Sequence, residues 1–528
     1  SKALSSVMTG MSFCSPDHSN HTARNNDGFV DDTTGGVNDT HLSTPLSPTD
    51  LAAYLQKQAQ LWERLLFASG GRLELPKCFF YLIVWKWTNG DATMMSTEEL
   101  NASISLTCGS NPHPVPIAQK EVHTSHKTLG TQMNPTGTMT AETNRLKAKA
   151  STIAAAIERF EGPPWKAKLL YSSRYTNSLK YSLPITTLSS AQVHSIQNRS
   201  VRAILGSLGV NRMFPRDVAH GPHTHGGLGL PHLLTIQGTS QIKLLTGHIR
   251  QNDVNGKLTL ACLDTAQLIA GVSAPLLEHP KVSYAHLKDP WLVSHQSFLT
   301  DCDAKLIISP AWTPTLHRTH DRLIMEVAAA AHTTPIDLRH VNQCRLYLQV
   351  QRLSDLCNGA GTELLPKALY QSYPSHNVES NLTWPRQGKP SLRAWTTWKR
   401  ILRRLFLTDR TGPLQSLVLS LPLGPWTINT SSADTSWYYY YDSATDKAYE
   451  RVLDDYWPML RVRSRRRNHY AFPKDYPDNT PLSLLPTTAT PATLTASTTN
   501  SVTLSISSTS IRQTVTRHTT TVLTNLTT

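Results

Sequence analysis

The run Gly28-Phe29-Val30-Asp31-Asp32-Thr33-Thr34-Gly35-Gly36 sets two adjacent carboxylates where a short extended segment meets a turn rich in Thr and Gly. A strand entering a tight hairpin is the local structure this pattern predicts. Like charges side by side repel, and no cation stands next to them in sequence, so the pair makes sense where a divalent ion is held. Mg²⁺ takes oxygen ligands, usually one or two carboxylates plus substrate phosphates. Phosphoryl transfer commonly uses two such ions about 3.5–4 Å apart. The alternative is a solvated acidic turn. Asp454-Asp455 repeats the pair ahead of Tyr456-Trp457, where a helix face is expected.

Around this run, Ser1 to Phe13 reads as the end of an apolar helix running into a loop. Residues 51–68 carry Leu51, Tyr54, Leu55, Ala59, Trp62, Leu65 and Leu66 at steps of mostly three or four, an amphipathic helix that Gly70-Gly71 ends. Leu73 and Leu75, followed by Cys78 to Trp87, predict a strand pair. Residues 88–118 are polar and contain Pro, which predicts a variable loop.

From Thr140 the periodicity is helical. Leu146, Ala150, Ile153, Ile157 and Phe160 share one face until Gly162-Pro163-Pro164. Ser189 to Gln192 forms a capping box that opens a second helix through Val193, Ile196, Val201, Ile204 and Leu205. Arg199 and Arg202 lie on its polar side, as a solvated face or as contacts to duplex phosphates. Further helices are expected near 321–331, 341–357 and 391–407. Beyond about residue 478 the chain is rich in Thr and Ser and nearly free of aromatics, so it is expected to be disordered.

Four landmarks in order along the chain resemble the reverse transcriptases of non-LTR (LINE-type) retrotransposons. They are the aromatic-x-Asp-Asp hairpin at Phe29 to Asp32, Gly70-Gly71 leading to Lys77, the Leu129-Gly130 hairpin after His126-Lys127-Thr128, and Gly226-Gly227-Leu228-Gly229-Leu230. The resemblance covers residues 1–235 most closely. It implies an α+β fold: a partial polymerase palm, an antiparallel sheet with helices, followed by a mainly helical thumb, a helical C-terminal region and a disordered tail. The implied divisions are a truncated palm at 1–136, thumb at 137–240, helical region at 241–440, basic and aromatic segment at 441–478, and tail at 479–528.

It also implies roles. Asp31 and Asp32 would be catalytic Mg²⁺ (or Mn²⁺) ligands, with Phe29 and Val30 beside the primer terminus. Lys77 would stand near the departing pyrophosphate, and Leu129 and Gly130 would hold the primer backbone. The partners would be an RNA template, a DNA primer or duplex, and deoxynucleoside triphosphates. Each position has a plainer reading as well: Lys77 as a surface lysine, Leu129-Gly130 as an ordinary turn. Only 30 residues precede Asp31, and Asp17, the carboxylate among them outside the hairpin's own strand, lies in a loop-like stretch. An inactive C-terminal portion of an RNA-directed DNA polymerase is therefore expected.

Composition narrows the alternatives. Across 528 residues, 39% are hydrophobic and 17% charged, which excludes a wholly disordered chain, a coiled coil and a collagen. The longest apolar run, Phe79 to Trp85, is strand-sized, far below the ~20 residues that span a bilayer. Lys and Arg total 51 against 37 Asp and Glu, a net +14 that suits an anionic polymer partner. The densest run is Arg461, Arg463, Arg465, Arg466 and Arg467, read as a solvated tail, a phosphate-contacting arm or a nuclear address. Seven scattered Cys without Cys-x-x-Cys fit reduced thiols in cytoplasm or nucleus, not a secreted protein.

His220, His223 and His225 have spacing that could bind zinc, although a polar loop is the simpler reading. Trp437-Tyr438-Tyr439-Tyr440-Tyr441 could stack on unpaired bases or form a packed edge. A non-catalytic basic nucleic-acid-binding protein derived from a decayed retroelement is the rival reading.

Overall fold

A computed structural model describes residues 10–424 apart from 25, 30–31, 40–45, 282–283, 285, 288, 310, 317, 358–360, 366–368, 370–381 and 409–416. Beyond these it describes four strands, at 438–442, 447–452, 455–458 and 501–506. The architecture is mixed α and β. Among the described residues the strands form seven small sheets, five two-stranded and two three-stranded, rather than one continuous sheet. No described helix is long and apolar enough to cross a membrane.

Met11–Cys14 (β1) pairs antiparallel with His21–Arg24 (β2), and Asn26–Phe29 (β3) with Asp32–Gly35 (β4). The helix end expected up to Phe13 is corrected to a strand over Met11–Cys14, while residues 1–9 lie outside the described residues. Gly10, at φ +64°, breaks any helix there, and Pro16 limits the segment on the other side. Asn38 then ties the stretch after β4 back to β1. Its Oδ1 accepts the Ser12 N–H at 3.0 Å and its Nδ2 donates to the Ser12 carbonyl at 2.8 Å.

Pro48–Ala68 (α1) begins where Ser47 accepts the Asp50 N–H and Pro48 fills the first turn. Its Leu51, Leu55 and Ala59 pack on Phe80, Leu100, Ile104 and Leu106. Phe79–Phe80 (β5), Trp85–Thr88 (β6), Asp91–Met94 (β7), Thr97–Leu100 (α2), Ile104–Cys108 (β8) and Asn111–Gln119 (β9) follow. The expected strand pair at 73–87 is corrected. Leu75–Lys77 is a 3₁₀ turn opened by Pro76, β5 joins β9 in parallel, and β6 pairs with β7.

The expected loop at 88–118 is also ordered. Strand β8 buries Ile104, Leu106 and Cys108 at alternate positions, a pattern masked by its Ser and Thr. Pro112, Pro114 and Pro116 fall on alternate positions of β9, so the N–H groups they lack all belong to the edge that β5 leaves open. Helix α1 covers the free edge of β8. Gln56 Oε1 accepts the Ser105 N–H at 3.0 Å, Gln60 bonds both Thr107 N–H and carbonyl at 2.8 and 3.0 Å, and Glu63 accepts the Gly109 N–H at 2.6 Å.

His126–Thr128 (β10) and Thr131–Met133 (β11) form a tight ribbon. The helices behind it are Thr140–Glu158 (α3), Pro164–Leu170 (α4), Asn177–Lys180 (α5), Ser190–Ser207 (α6), Arg216–His220 (α7) and Leu233–Gln251 (α8). The period-3.6 faces read from the sequence become one core of Leu146, Ala150, Ile157, Val193, Ile196, Ile204 and the stacked Tyr171 and Tyr175. The capping box at Ser189 and Gln192 is present. Helix α8 runs straight through residue 240, placing Leu233 in this core and Ile242, Leu245 and Ile249 in the next.

That next core adds Val254–Ala270 (α9), Pro290–Asp301 (α10) and Ala304–Ser309 (β12). The last gathers Ile324–Ala330 (α11), Pro335–Leu348 (α12) and Leu392–Phe406 (α13) around Trp395 and Trp398. Arg345, with no exposed surface, joins them by donating to the Leu268 and Ile269 carbonyls at the C-terminus of α9. Burial pushes its guanidinium pKa down to about 9.

Tyr438–Asp442 (β13), Lys447–Val452 (β14) and Asp455–Pro458 (β15) form a three-stranded ribbon, so Asp455 lies on a strand where a helix face was expected. Ser501–Ile506 (β16) pairs with β12, which corrects the expectation of disorder for that part of the tail. The alternation Val502, Leu504, Ile506 stands opposite Ile308, Leu306 and Ala304, a period of two inside a Thr/Ser-rich context. The rest of 479–528, Trp437, and Arg461, Arg463, Arg465, Arg466 and Arg467 lie outside the described residues.

Candidate nucleic-acid interface

Phe29 and Asp32 are directly opposed in the β3–β4 ladder, leaving Val30 and Asp31 as the two residues between paired strands. Val30 and Asp31 themselves lie outside the described residues. Among the described residues no group of three or more His, Cys, Asp or Glu could hold a metal ion. Asp17 is engaged in its own loop, accepting from the Ser15 hydroxyl at 2.7 Å and from the Ser19 N–H and hydroxyl at 3.1 and 2.8 Å. Lys77 ends the 3₁₀ turn, exposed. No described hydrogen bond or ion pair joins Lys77 to either ribbon.

The second ribbon is defined in more detail. Thr128 pairs with Thr131, and between them Leu129 and Gly130 have φ of 48° and 87°. Two consecutive positive φ values are the signature of a type I′ hairpin. Glycine adopts this freely, whereas leucine there costs about 1–2 kcal/mol. Leu129 is also 42% exposed, so neither conformation nor burial explains a leucine at the tip. Tyr181, 65% exposed, stands beside the tip, its ring 3.6 Å from where a Cβ on Gly130 would lie.

Glu142 anchors this ribbon to the helices. Its side chain is fully buried; Oε2 accepts the Gln132 N–H at 2.9 Å and Arg145 Nε at 2.7 Å, while Arg145 Nη2 reaches Oε1. Burial alone would raise the carboxyl pKa, but the bonds from Arg145 and the Gln132 N–H outweigh it, and the pKa lies below its ordinary value.

The two α6 arginines expected on its polar side differ in state. Arg199 is paired with Glu158 at 3.1 Å, whereas Arg202 is exposed. Arg202 lies close enough to Arg216 for its charge to add to burial in lowering the Arg216 pKa. Arg216 Nη2 donates to the Arg212 carbonyl at 3.2 Å, and its Nη1 is buried without a hydrogen-bond partner. Arg212 lies over Gly206, one turn beyond Arg202 on α6; a Cβ there would meet its Nε at 3.4 Å. Arg202, Arg212 and Arg216 therefore converge, and no carboxylate among the described residues is ion-paired with them. Arg212 and Arg216 were not singled out from the sequence; the signal there is two cations bracketing Met213, which is 78% exposed.

His220 closes helix α7 instead of lying in the expected polar loop, and His223 and His225 sit in a short 3₁₀ turn after it. His220 Nδ1 donates to the Leu230 carbonyl at 2.9 Å, and its ring lies against that of His232 with centroids 4.7 Å apart and planes tilted by 49°. Burial, then the neighbouring His220, pushes His232 down to about 4. His223 contacts Lys168 Nζ, which also donates to the Leu228 carbonyl. All seven cysteines are free thiols.

Comparison with protein-family models, with curated proteins and with solved structures finds no match to this chain.

Proposed function

We propose that this chain carries the palm-to-thumb portion of an RNA-directed DNA polymerase of a non-LTR retroelement. Its partners would be an RNA template, a DNA primer and deoxynucleoside triphosphates. One observation carries the proposal: two tight ribbons occur in the order the family requires, and the second ends in a left-handed, exposed Leu129-Gly130 tip braced on a helical unit by Glu142. An ordinary turn would not keep a leucine in that conformation.

Asp31 and Asp32 have the donor chemistry Mg²⁺ takes and would hold it; the ion would supply charge stabilisation at the transferred phosphoryl group. Two carboxylates on one ribbon meet only part of a two-ion requirement, so a third from another palm strand is needed. Leu129 and Gly130 would support the primer backbone, with Phe29 and Val30 beside its terminus. Lys77, exposed and without an ion-pair partner among the described residues, would offset charge on departing pyrophosphate. Arg202, Arg212 and Arg216 would meet duplex phosphates.

Primer extension on an RNA template by the full-length protein tests this. Asp31→Ala is expected to lower extension by roughly a thousandfold or more, since it removes a metal ligand; an unchanged rate overturns the assignment. The arginine convergence equally favours a non-catalytic nucleic-acid-binding protein. That reading predicts duplex binding that weakens steeply with salt together with no extension by the unmutated protein.

A further inference from the structure

An open cavity of about 550 Å³ lies on the seam between the β10–β11 ribbon and the first turns of α3. Nine residues line it, and none is acidic. They include His123, Ser125, Thr138, Thr140, Asn144 and Arg145.

Asn134 shapes the cavity. Its Oδ1 accepts the Thr138 N–H at 3.2 Å, which fixes the orientation of the amide. Its Nδ2 then lies 3.3, 3.0 and 2.9 Å from the His123 carbonyl, the Ser125 hydroxyl and the Thr138 hydroxyl, its two protons shared among the three acceptors. One side chain thus holds three parts of the wall in place. Because the Ser125 oxygen accepts from Asn134, its own proton remains free to donate to a bound group.

Two carboxylates near the seam are bonded to other groups, Glu142 through both oxygens and Glu121 through Oε1 alone, its Oε2 being buried without a partner among the described residues. Glu142 faces Arg145 and the Gln132 N–H, and Glu121 accepts the N–H and hydroxyl of Thr97. Arg145 uses Nε and Nη2 on Glu142, leaving Nη1 without a partner among the described residues. The carboxamide of Asn144 is exposed and likewise unpartnered among them. Thr140 and Ala141 add the first turn of α3, whose cap residue Met139 supplies no side-chain acceptor.

We infer that this cavity binds the phosphate group of a phosphate ester. Preorganised hydroxyl, amide and guanidinium donors without a carboxylate in the lining select for an anion with several acceptor oxygens. The volume falls in the ~300–1,000 Å³ range of small-molecule sites, more than one phosphate fills, so part of the esterified group enters too. The source is either a free nucleotide or a phosphodiester of a bound strand. The inference does not depend on polymerase activity.

The test uses the full chain, with thymidine 5′-monophosphate and a DNA duplex as probes in titration calorimetry. Asn144→Asp puts a carboxylate on the rim at an exposed position, and its melting temperature is expected to stay at the unmutated value. Binding of the mononucleotide that falls about tenfold or more in Asn144→Asp, with duplex affinity unchanged, assigns a free nucleotide. A parallel fall in duplex affinity, with competition by the mononucleotide, assigns a strand phosphodiester. If the mononucleotide does not bind at about 10 mM, a concentration that reveals even millimolar affinity, and Asn144→Asp leaves duplex affinity intact, the cavity is not a phosphate site. The inference is also overturned if Asn144→Asp binds both probes as tightly as the unmutated chain.

Discussion

The buried carboxylate of Glu142 accepts the backbone N–H of Gln132 across 2.9 Å, so the ribbon that ends in Leu129-Gly130 is fixed to a helix by one side chain. The same carboxylate neutralises Arg145, and the three groups act as a unit.

Glu142→Ala is therefore expected to destabilise the chain by about 3–5 kcal/mol, because a half-buried guanidinium and a backbone N–H lose their acceptor together. Glu142→Gln, which keeps an acceptor, should lose less. The folded-state pKa lies below the unfolded one, so this contribution is present above the ordinary glutamate pKa near 4.3 and fades as pH falls through the folded value. Thermal unfolding between pH 3 and 7 checks both points; equal acid sensitivity in Glu142→Gln and the unmutated chain would contradict them.

Leu129→Gly should stabilise the fold by about 1 kcal/mol, since glycine adopts φ 48° without strain. If the leucine serves nucleic-acid contact, the same change weakens duplex binding. Gly130→Ala, at φ 87°, should destabilise by about 1 kcal/mol. Denaturant unfolding and duplex titration on the same two variants separate stability from binding.

Asp264 on α9 is buried near Asp17, and its pKa is raised to about 6 by burial first and by Asp17 second. The folded state thus holds this proton more tightly than the unfolded chain, whose value is near 3.9. Stability should decline as pH rises from about 4 to 6, with a penalty at neutral pH on the order of 2–3 kcal/mol. Asp264→Asn keeps one of the two acceptances, since Asn20 Nδ2 and the Trp312 N–H bond different carboxylate oxygens, and by removing the buried charge it should be more stable than the unmutated chain at pH 7. Equal melting temperatures at pH 7 would contradict this.

Gly271 ends α9 at φ 67°, and a Cβ there would meet Arg345 Cζ at 2.9 Å and Met325 Cγ at 3.0 Å. Gly271→Ala should lose about 2–4 kcal/mol through strain and overpacking. In the Arg345→Ala background the same change should lose less, and a double-mutant cycle measures the difference.

The helices were legible wherever an apolar face recurred over several turns. Leu146 to Ile157 and the Ser189 capping box needed no tertiary information. Strands failed where burial was local: Ile104, Leu106 and Cys108 alternate with Ser and Thr in a segment whose prolines argue against structure until the open edge of β9 is known. Val502, Leu504 and Ile506 were hidden by composition in the same way. At the candidate site, the Leu-Gly turn could be read from two letters. Glu142 and Arg216 could not, because what distinguishes them is who faces them, and those partners come from other elements.

The pairing of α1 with β8 sets a limit on size. A helix advances 1.5 Å per residue, so the four residues from Gln56 to Gln60 span about 6 Å, while two strand residues span about 6.6–6.8 Å. The two rulers drift apart by more than half an ångström at each rung. The last step, Gln60 to Glu63, covers only three helical residues, and it falls where the β8–β9 register shifts between Leu106 and Cys108. A helix can impersonate a neighbouring strand for about three rungs and no further, so this sheet cannot grow longer on that side without the helix bending to follow it.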